Sequence, residues 1–177
     1  MQKLKLQELG RLSEEDFQEA EKAGICVILD NVRSAHNVGA AFRSSDAFLV
    51  DQVVLRGICA KPPHKDIRKT ALGATETVHW NHYANEDNSW IDELKAEGYL
   101  LVAAEQTTKS LALHNFPIDR NAKYALVFGH EVSGVSDELL AHCVNAVEIP
   151  QFGTKHSFNV SVSVGIILWH FYSKLKL

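Results

Sequence analysis

Short apolar runs alternate with helical segments along most of this chain. The runs predict strands because each is bounded by turn residues, and they cover residues 25–30, 52–58, 77–80, 99–105, 124–129 and 146–150. Between them the sequence predicts helices over residues 37–48, 86–97 and 136–143, and a last helix that begins near Ser157. This alternation is typical of an α/β domain with a mostly parallel sheet flanked by helices.

A further helix is predicted over residues 14–23, ahead of the alternating region. Ser13 resembles a helix cap, and Gly24 supplies a stop. No repeat or linker interrupts the chain after Gly24. We therefore expect an N-terminal helical extension over residues 1–24 and one domain over residues 25–177.

Composition narrows the class of protein. The chain of 177 residues has 18 Lys+Arg against 22 Asp+Glu, a net charge of −4, which argues against non-specific coating of nucleic acid. Its three cysteines are far apart and form no C-x-x-C pair, so we expect no disulfide framework and a reducing, cytoplasmic compartment. The charged N-terminus does not resemble a signal peptide. A basic run over residues 61–69, taken alone, indicates a solvated loop.

One uncharged stretch, residues 156–173, is long enough to be compared with a membrane span. Its first half alternates polar and apolar residues, and Ser157, Asn159 and Ser161 would lie in lipid. We therefore expect a buried segment of a soluble protein and no contact with a membrane.

Polar residues come directly after the first predicted strand. Asn37 is placed to cap the next helix, and Arg43 lies six residues further on, among apolar positions that would face the sheet. Taken alone, this pattern indicates a solvated helix arginine.

A second polar segment contains Gly129 and Gly134, which allow the backbone to approach a ligand closely. Their spacing suits a P-loop, but Val135 stands where the phosphate-binding lysine is required. The Gly134-x-Ser136 pair begins a nucleophile elbow, but Glu138 replaces the closing glycine. A strand-to-helix turn with Ser136 as N-cap is the simpler interpretation.

A third segment comes after the last predicted strand. Pro150 and Gly153 fix a loop, and Ser157 and Asn159 bring polar groups to the start of a very apolar helix. Such groups need hydrogen-bond partners, which either the backbone or a ligand would supply.

Together these segments resemble the three motifs of the SpoU/TrmH-type RNA ribose 2′-O-methyltransferases. The resemblance covers Ile25 to Tyr172, and Thr70-Ala71-Leu72-Gly73-Ala74 is similar to a further segment of the family. The matching patterns are Asn37-x-Gly39-x-x-x-Arg43, Phe128-Gly129-x-Glu131-x-x-Gly134 and Ile149-Pro150-x-x-Gly153-x-x-x-Ser157-x-Asn159-Val160-Ser161-Val162.

The resemblance implies S-adenosyl-L-methionine as cofactor, bound in a deep C-terminal trefoil knot, and no metal. It also implies a homodimer, for which the apolar helix from Ser157 to Tyr172 is suited; burial of that helix in the core is the alternative. The residues implied to hold the cofactor are Phe128, Gly129, Glu131, Gly134, Ile149, Pro150, Gly153, Ser157 and Phe158.

The implied reaction transfers a methyl group to a ribose 2′-hydroxyl. An arginine is hard to deprotonate, so we expect Arg43 to hold the adjacent phosphate and orient the hydroxyl. The proton would pass to phosphate, water or Glu131, among which the sequence does not decide. The implied catalytic residues are Asn37, Arg43, Glu131, Ser157 and Asn159.

The implied substrate is RNA, and recognition would fall to the catalytic surface because so little chain precedes the domain. Exposed loops favour sequence-selective reading, so we expect tRNA first and rRNA second. The expected RNA-binding residues are Arg33, Arg43, Lys61, Lys65, Arg68, Lys69 and Lys155, with Lys3, Lys5 and Arg11 near the N-terminus.

Two alternatives stay open beside the methyltransferase. The first is a non-catalytic RNA-binding or assembly protein that retains the fold, although the motif residues argue against it. The second, more distant, is a hydrolase built on Ser136. A metal is not expected, because His79 and His82 lack a third ligand.

Overall fold

The computed structural model describes residues 1–177 apart from the side chains of residues 6 and 7. Seven strands form a single sheet in the order β3-β2-β1-β6-β4-β7-β5, and every neighbouring pair is parallel. This sheet confirms the predicted fold class. The strands are β1 (Ile25–Asp30), β2 (Gln52–Arg56), β3 (Trp80–Tyr83), β4 (Tyr99–Ala104), β5 (Leu111–Ala112), β6 (Lys123–Phe128) and β7 (Asn145–Glu148).

Helices flank both faces of the sheet, so the central strands are apolar on both sides. In β1, Val27 and Leu29 join a core cluster that includes Phe42 and Phe171, whereas Ile28 joins a second cluster with Trp90. The helices are α1 (Glu14–Glu19), α2 (Ala35–Ala47), α3 (Lys65–Ala71), α4 (Ala74–Thr77), α5 (Ser89–Ala96), α6 (Asp137–His142) and α7 (Val160–Lys176), with 3₁₀ turns at Leu6–Leu9 and Leu113–Asn115.

The N-terminal extension packs on the domain. Phe17 of α1 is buried in the larger core cluster, and Glu21 accepts a hydrogen bond of 2.9 Å from Lys176. The Ser13 cap is confirmed by its contact with the Asp16 amide, but α1 ends at Glu19 rather than at residue 23. The division of the chain at residue 24 stays a prediction.

Two local predictions are wrong in the middle of the chain. The expected strand over residues 77–80 is displaced, because Gly73 adopts a left-handed conformation that starts the short helix α4, and β3 begins only at Trp80. The basic run over residues 61–69 indicated a loop, but only residues 61–64 are irregular; from Lys65 it forms α3, which His64 caps by accepting from the Asp66 amide.

The starts of two helices also differ from expectation, and a third lacks one expected hydrogen bond. The hydroxyl of Ser34 accepts from the Asn37 amide, so α2 begins earlier than predicted and the Asn37 side chain is free for another role. The last helix, expected to begin near Ser157, begins at Val160, and Asn159 caps it. Ser136 is the N-cap residue of α6, as predicted, but its side chain makes no capping hydrogen bond.

Strand β7 lies between β4 and β5, although β5 directly follows β4 in the sequence. The chain that leaves β7 therefore starts beside the segment that joins β4 to β6. This order agrees with the expected threading of the carboxyl-terminal chain, and the knot itself stays a prediction. Among the described residues, no helix is both long and apolar enough to span a bilayer.

Candidate functional site

A cavity of about 590 Å³ opens at the carboxyl edge of the sheet, where β4, β6 and β7 end. Its walls are the last residues of these strands and the loops that come after them. Ligands of parallel α/β sheets bind at this edge, and the volume lies within the range of sites for small molecules.

Most of the residues expected to hold a cofactor line this cavity. Pro150 and Gly153 are the exceptions; they lie in the loop after β7, and Gly153 is exposed. Their assignment stays a prediction. The expected residues that the cavity brings together are Phe128, Gly129, Glu131, Gly134, Ile149, Ser157 and Phe158, and the expected catalytic residue Asn159 joins them.

The charge of the cavity wall is one-sided. Glu105, Glu131 and Glu148 contribute carboxylates, and the described lining includes no lysine or arginine. Opposite charges attract more strongly where water is partly excluded, so the cavity favours a ligand that carries positive charge. Within the part of the chain that the structure describes, no group of three or more metal-ligating residues is found.

Glu131 and Asn37 together link the three polar segments of the sequence. One carboxylate oxygen accepts from the Arg33 amide at 3.0 Å, and the other accepts from the Ser34 amide at 3.1 Å and from Asn37 Nδ2 at 3.0 Å. The Asn37 side-chain oxygen in turn accepts from Asn159 Nδ2 at 3.2 Å. Asn37 therefore lies beside the cavity without lining it.

These contacts set the charge state of Glu131. Burial by itself raises the pKa of this carboxyl, but hydrogen bonds from the amides of Arg33, Ser34 and Glu131 itself and from the Asn37 side chain hold the pKa below its usual value of 4.5. The carboxylate is thus ionised at neutral pH and both its oxygens are occupied. This favours a role as an anchor over a role as proton acceptor.

The glycine turn after β6 is closed by hydrogen bonds between His130 and Gly134 in both directions. A Cβ atom at Gly129 would lie 2.1 Å from backbone atoms of Gly134 and Val135. The sequence predicted glycine here because a ligand would approach the backbone. The structure shows a different reason: the turn itself leaves no space for a side chain at this position. Gly134 has φ of +72°, and a Cβ there would lie 2.2 Å from Glu105 Oε2.

Glu105 and Gln106, which come directly after β4 and line the cavity, belong to no motif that the sequence reveals. Glu105 Oε2 accepts from the Val135 amide at 2.9 Å, and Gln106 Nε2 donates to the His156 carbonyl at 2.9 Å. Their only signal in the sequence is their position at the end of a parallel strand.

A buried ion pair lies close to the glycine turn and was also missed. Arg56 is 1% exposed, and its Nη1 donates to Asp30 at 3.0 Å and to the Ser136 hydroxyl at 3.2 Å, while Nη2 pairs with Glu138. Asp30 also accepts from the Ser136 amide at 2.8 Å. The Ser136 hydroxyl is thus held by an arginine, which argues against the hydrolase alternative.

Gly39 and Thr70, both in segments that carried the resemblance, are in contact. A Cβ at Gly39 would lie 2.1 Å from Thr70 Oγ1, and that hydroxyl donates to the His36 carbonyl at 3.1 Å. The close approach lets α3 pack directly on the first turns of α2.

Arg43 is not brought to the cavity within this chain. It is exposed on α2, about 240° around the helix from Asn37, and it makes no hydrogen bond or ion pair with the residues described. Its catalytic role stays a prediction. The other expected RNA-binding side chains of the domain are also exposed, and their role stays a prediction; they are Arg33, Lys61, Lys65, Arg68, Lys69 and Lys155.

The family model of the SpoU rRNA Methylase family matches residues 24–169 of this chain. The chain belongs to this family. A tRNA (guanosine(18)-2′-O)-methyltransferase of Borreliella burgdorferi is 32% identical over 149 residues, or 84% of this chain and 66% of the relative. A 23S rRNA (guanosine-2′-O-)-methyltransferase, RlmB, of Neisseria meningitidis is 32% identical over 156 residues, or 88% of this chain and 60% of the relative.

Solved structures of RNA-modifying enzymes share the fold. The TrmH/SpoU tRNA modifying enzyme of A. aeolicus has a TM-score of 0.78 at 26% identity, over 91% of this chain and 81% of that one. An rRNA methyltransferase of Sinorhizobium meliloti has a TM-score of 0.77 at 25% identity, over 88% of this chain and 57% of that one. The chain thus spans less than two thirds of the length of these curated relatives and of the S. meliloti structure.

Proposed function

We propose that this protein is an S-adenosyl-L-methionine-dependent RNA ribose 2′-O-methyltransferase that acts on tRNA. The observation that carries the proposal is the hydrogen-bonded series Glu131–Asn37–Asn159, which links one residue of each family motif at the edge of one cavity. Family membership and the names of the two methyltransferase relatives support the reaction class.

The cavity suits the chemistry of the cofactor. S-adenosyl-L-methionine carries a sulfonium and an ammonium group, which the Glu148 carboxylate in the cavity wall would attract. Its adenine needs apolar surface and backbone polar groups, which Ile149, Phe158 and the loops around them would supply. When bound, the cofactor supplies an electrophilic methyl group.

The residues of this chain would align the acceptor hydroxyl. Ionised Glu131 fixes Asn37, and Asn37 fixes Asn159, so the amide groups of both asparagines are held at the cavity edge. Arg43 would bind an RNA phosphate. Because the Glu131 carboxylate is a weak base with both oxygens engaged, the proton of the hydroxyl would pass to phosphate or water.

We propose tRNA before rRNA because a compact catalytic surface suits an exposed loop. One relative is named for tRNA and the other for 23S rRNA, so the names do not decide between them. We also propose a reducing, cytoplasmic location, which the three free cysteines support.

We propose a homodimer that forms through α7. Val164, Ile167 and Phe171 face the core, whereas Val162 and Trp169, with Ile166 between them, form an exposed stripe at helical spacing. One face of this helix is therefore buried in the core, and the other is exposed and available to a second copy of the chain. Light scattering of the protein and of Trp169→Glu tests the interface, since the variant should be monomeric.

The decisive experiment supplies cofactor labelled in the methyl group with tRNA or rRNA transcripts. We expect label in tRNA as a nucleotide whose 3′ phosphodiester resists alkali, because a methylated 2′-oxygen no longer attacks the phosphate. Label in rRNA alone would reverse the choice of substrate. Retained RNA binding without label in either RNA would favour the non-catalytic alternative.

A further inference from the structure

We propose that Glu105 and Gln106 form a clamp that holds the two cofactor loops in register. The inference rests on the proposed function. Neither residue belongs to the three motifs, and both come directly after the same strand, β4. Their side chains hold different loops, so a single dipeptide at the carboxyl edge of the sheet sets the spacing across the cavity.

Glu105 fixes the glycine turn. Its Oε2 accepts from the Val135 amide at 2.9 Å, and its Oε1 accepts from the Gln106 amide at 2.9 Å. Its carboxylate also occupies the space that a Cβ at Gly134 would need, at 2.2 Å. Gly134 therefore serves two purposes: it adopts a positive φ, and it allows Glu105 to reach the amide behind it.

Gln106 fixes the other loop. Its Nε2 donates to the His156 carbonyl at 2.9 Å, immediately before Ser157 and Phe158, which line the cavity. The loop from residue 150 to residue 158 has little regular structure of its own, and its side chains are largely exposed. A tie from the neighbouring strand therefore limits its motion where the cofactor would lie.

An acidic residue in this cavity has a second conceivable role, which is to attract a cationic ligand directly. Glu148 provides the matched comparison, because it lines the same cavity with the same charge. It accepts from the Ser110 hydroxyl at 2.9 Å rather than from either cofactor loop. Substitutions at Glu105 and at Glu148 therefore distinguish the effect of the clamp from the effect of negative charge.

The test measures the affinity of the full-length protein for two ligands by calorimetry. S-adenosyl-L-methionine carries the sulfonium charge, and S-adenosylhomocysteine has nearly the same shape, with a neutral thioether in place of the methylated sulfur. Glu105→Ala should weaken both ligands by a similar factor, on the order of tenfold, because the clamp acts on shape. Gln106→Ala should act in the same direction, and Glu105→Gln should be milder because its amide oxygen still accepts one bond.

Glu148→Gln should instead weaken the sulfonium ligand more than the thioether. The clamp is overturned if Glu105→Ala discriminates between the ligands as Glu148→Gln does, or if it leaves both affinities unchanged. If Glu105→Ala does not fold, Glu105→Gln and Gln106→Ala decide by the same comparison.

Hydrogen exchange of the ligand-free protein provides a readout that does not depend on the cofactor. The Val135 amide should exchange faster in Glu105→Ala and at the wild-type rate in Glu148→Gln. Unchanged exchange at Val135 would overturn the clamp. If the wild-type protein binds neither ligand, the proposed function fails, and this exchange measurement still judges the clamp.

Discussion

Asn37 Nδ2 donates to Glu131 Oε1 at 3.0 Å although the two residues are 94 positions apart in the sequence. The bond joins the start of α2 to the glycine turn after β6. Both partners also hold other groups: Asn37 accepts from Asn159, and Glu131 accepts from two backbone amides. The geometry of the candidate site therefore depends on this pair.

Glu131→Gln should lower the free energy of unfolding by about 0.5–1.5 kcal/mol, because the NH₂ group of the new side chain would face an N–H donor that the carboxylate now satisfies. Urea denaturation measures the change. Glu148→Gln is the control, since its carboxylate accepts from a hydroxyl that is able to rotate. Equal losses in the two variants would contradict the anchoring role of Glu131.

The contribution of Glu131 should depend on pH in a defined direction. Its pKa in the folded protein lies below 4.5, so its ionised form stabilises the fold at pH above the unfolded value. The contribution should be complete at neutral pH and be lost as pH falls below about 4.5 through the lower folded pKa. Urea titrations at several pH values should show the difference between wild type and Glu131→Gln shrinking over that range.

Arg43→Ala should leave cofactor affinity nearly unchanged and slow methyl transfer by at least about a hundredfold, the size typical of a lost positioning group. The expectation rests on its exposed place on α2, away from the cavity of its own chain. Calorimetry and single-turnover methylation separate the two effects. Arg43→Lys should recover little, because lysine lacks the planar fork that grips a phosphate. Full turnover in Arg43→Ala would remove this residue from the mechanism.

Gly129→Ala should disrupt the turn and abolish cofactor binding, since even one added carbon would lie 2.1 Å from the backbone of residues 134 and 135. Gly153→Ala is the matched control, because a Cβ there meets no atom within 4 Å. Melting temperature and calorimetry of the two variants give the comparison. Normal binding by Gly129→Ala would show that the turn opens without loss.

Charge reversal at Lys65 and Arg68 to Glu should weaken RNA binding and reduce its dependence on salt, because fewer counterions are released from the phosphates. Both side chains are exposed on α3. Arg120→Glu is the control, since this exposed residue precedes the amino end of β6, whereas the candidate site lies at the carboxyl ends of the strands. Filter binding at several salt concentrations measures the slope. An equal effect of Arg120→Glu would place the RNA elsewhere or indicate a non-specific attraction.

The sequence predicted the sheet well where strands are buried on both faces. Residues 25–30 were placed correctly because a strand covered on both sides must be apolar throughout. The edge strand β3 was misplaced, since its half-buried residues mix polar and apolar types and a turn of helix precedes it. The helix starts were wrong where a nearby hydroxyl or amide competes for the cap, as Ser34 does with Asn37.

The site was predicted as far as motifs allow. The sequence identified Glu131 and Asn37, but not the bond between them, because the meeting of distant segments depends on strand order. The sequence did not predict the contact of Glu105 with the glycine turn or the burial of Arg56, since a single polar residue at a strand end is usually solvated. Only the burial and the partners of such residues separate them from ordinary surface positions.

The placement of β7 has a consequence for how this chain reaches its native state. β7 is made after β4 and β5 along the chain, yet it fills the slot between them. Until it arrives, the facing edges of β4 and β5 have no partner on that side, and the cavity lacks the wall that carries Val147 and Ile149. A nascent chain that ends before residue 145 would therefore hold an incomplete sheet and an unformed binding site, so cofactor binding should appear only after the chain beyond residue 145 has been made.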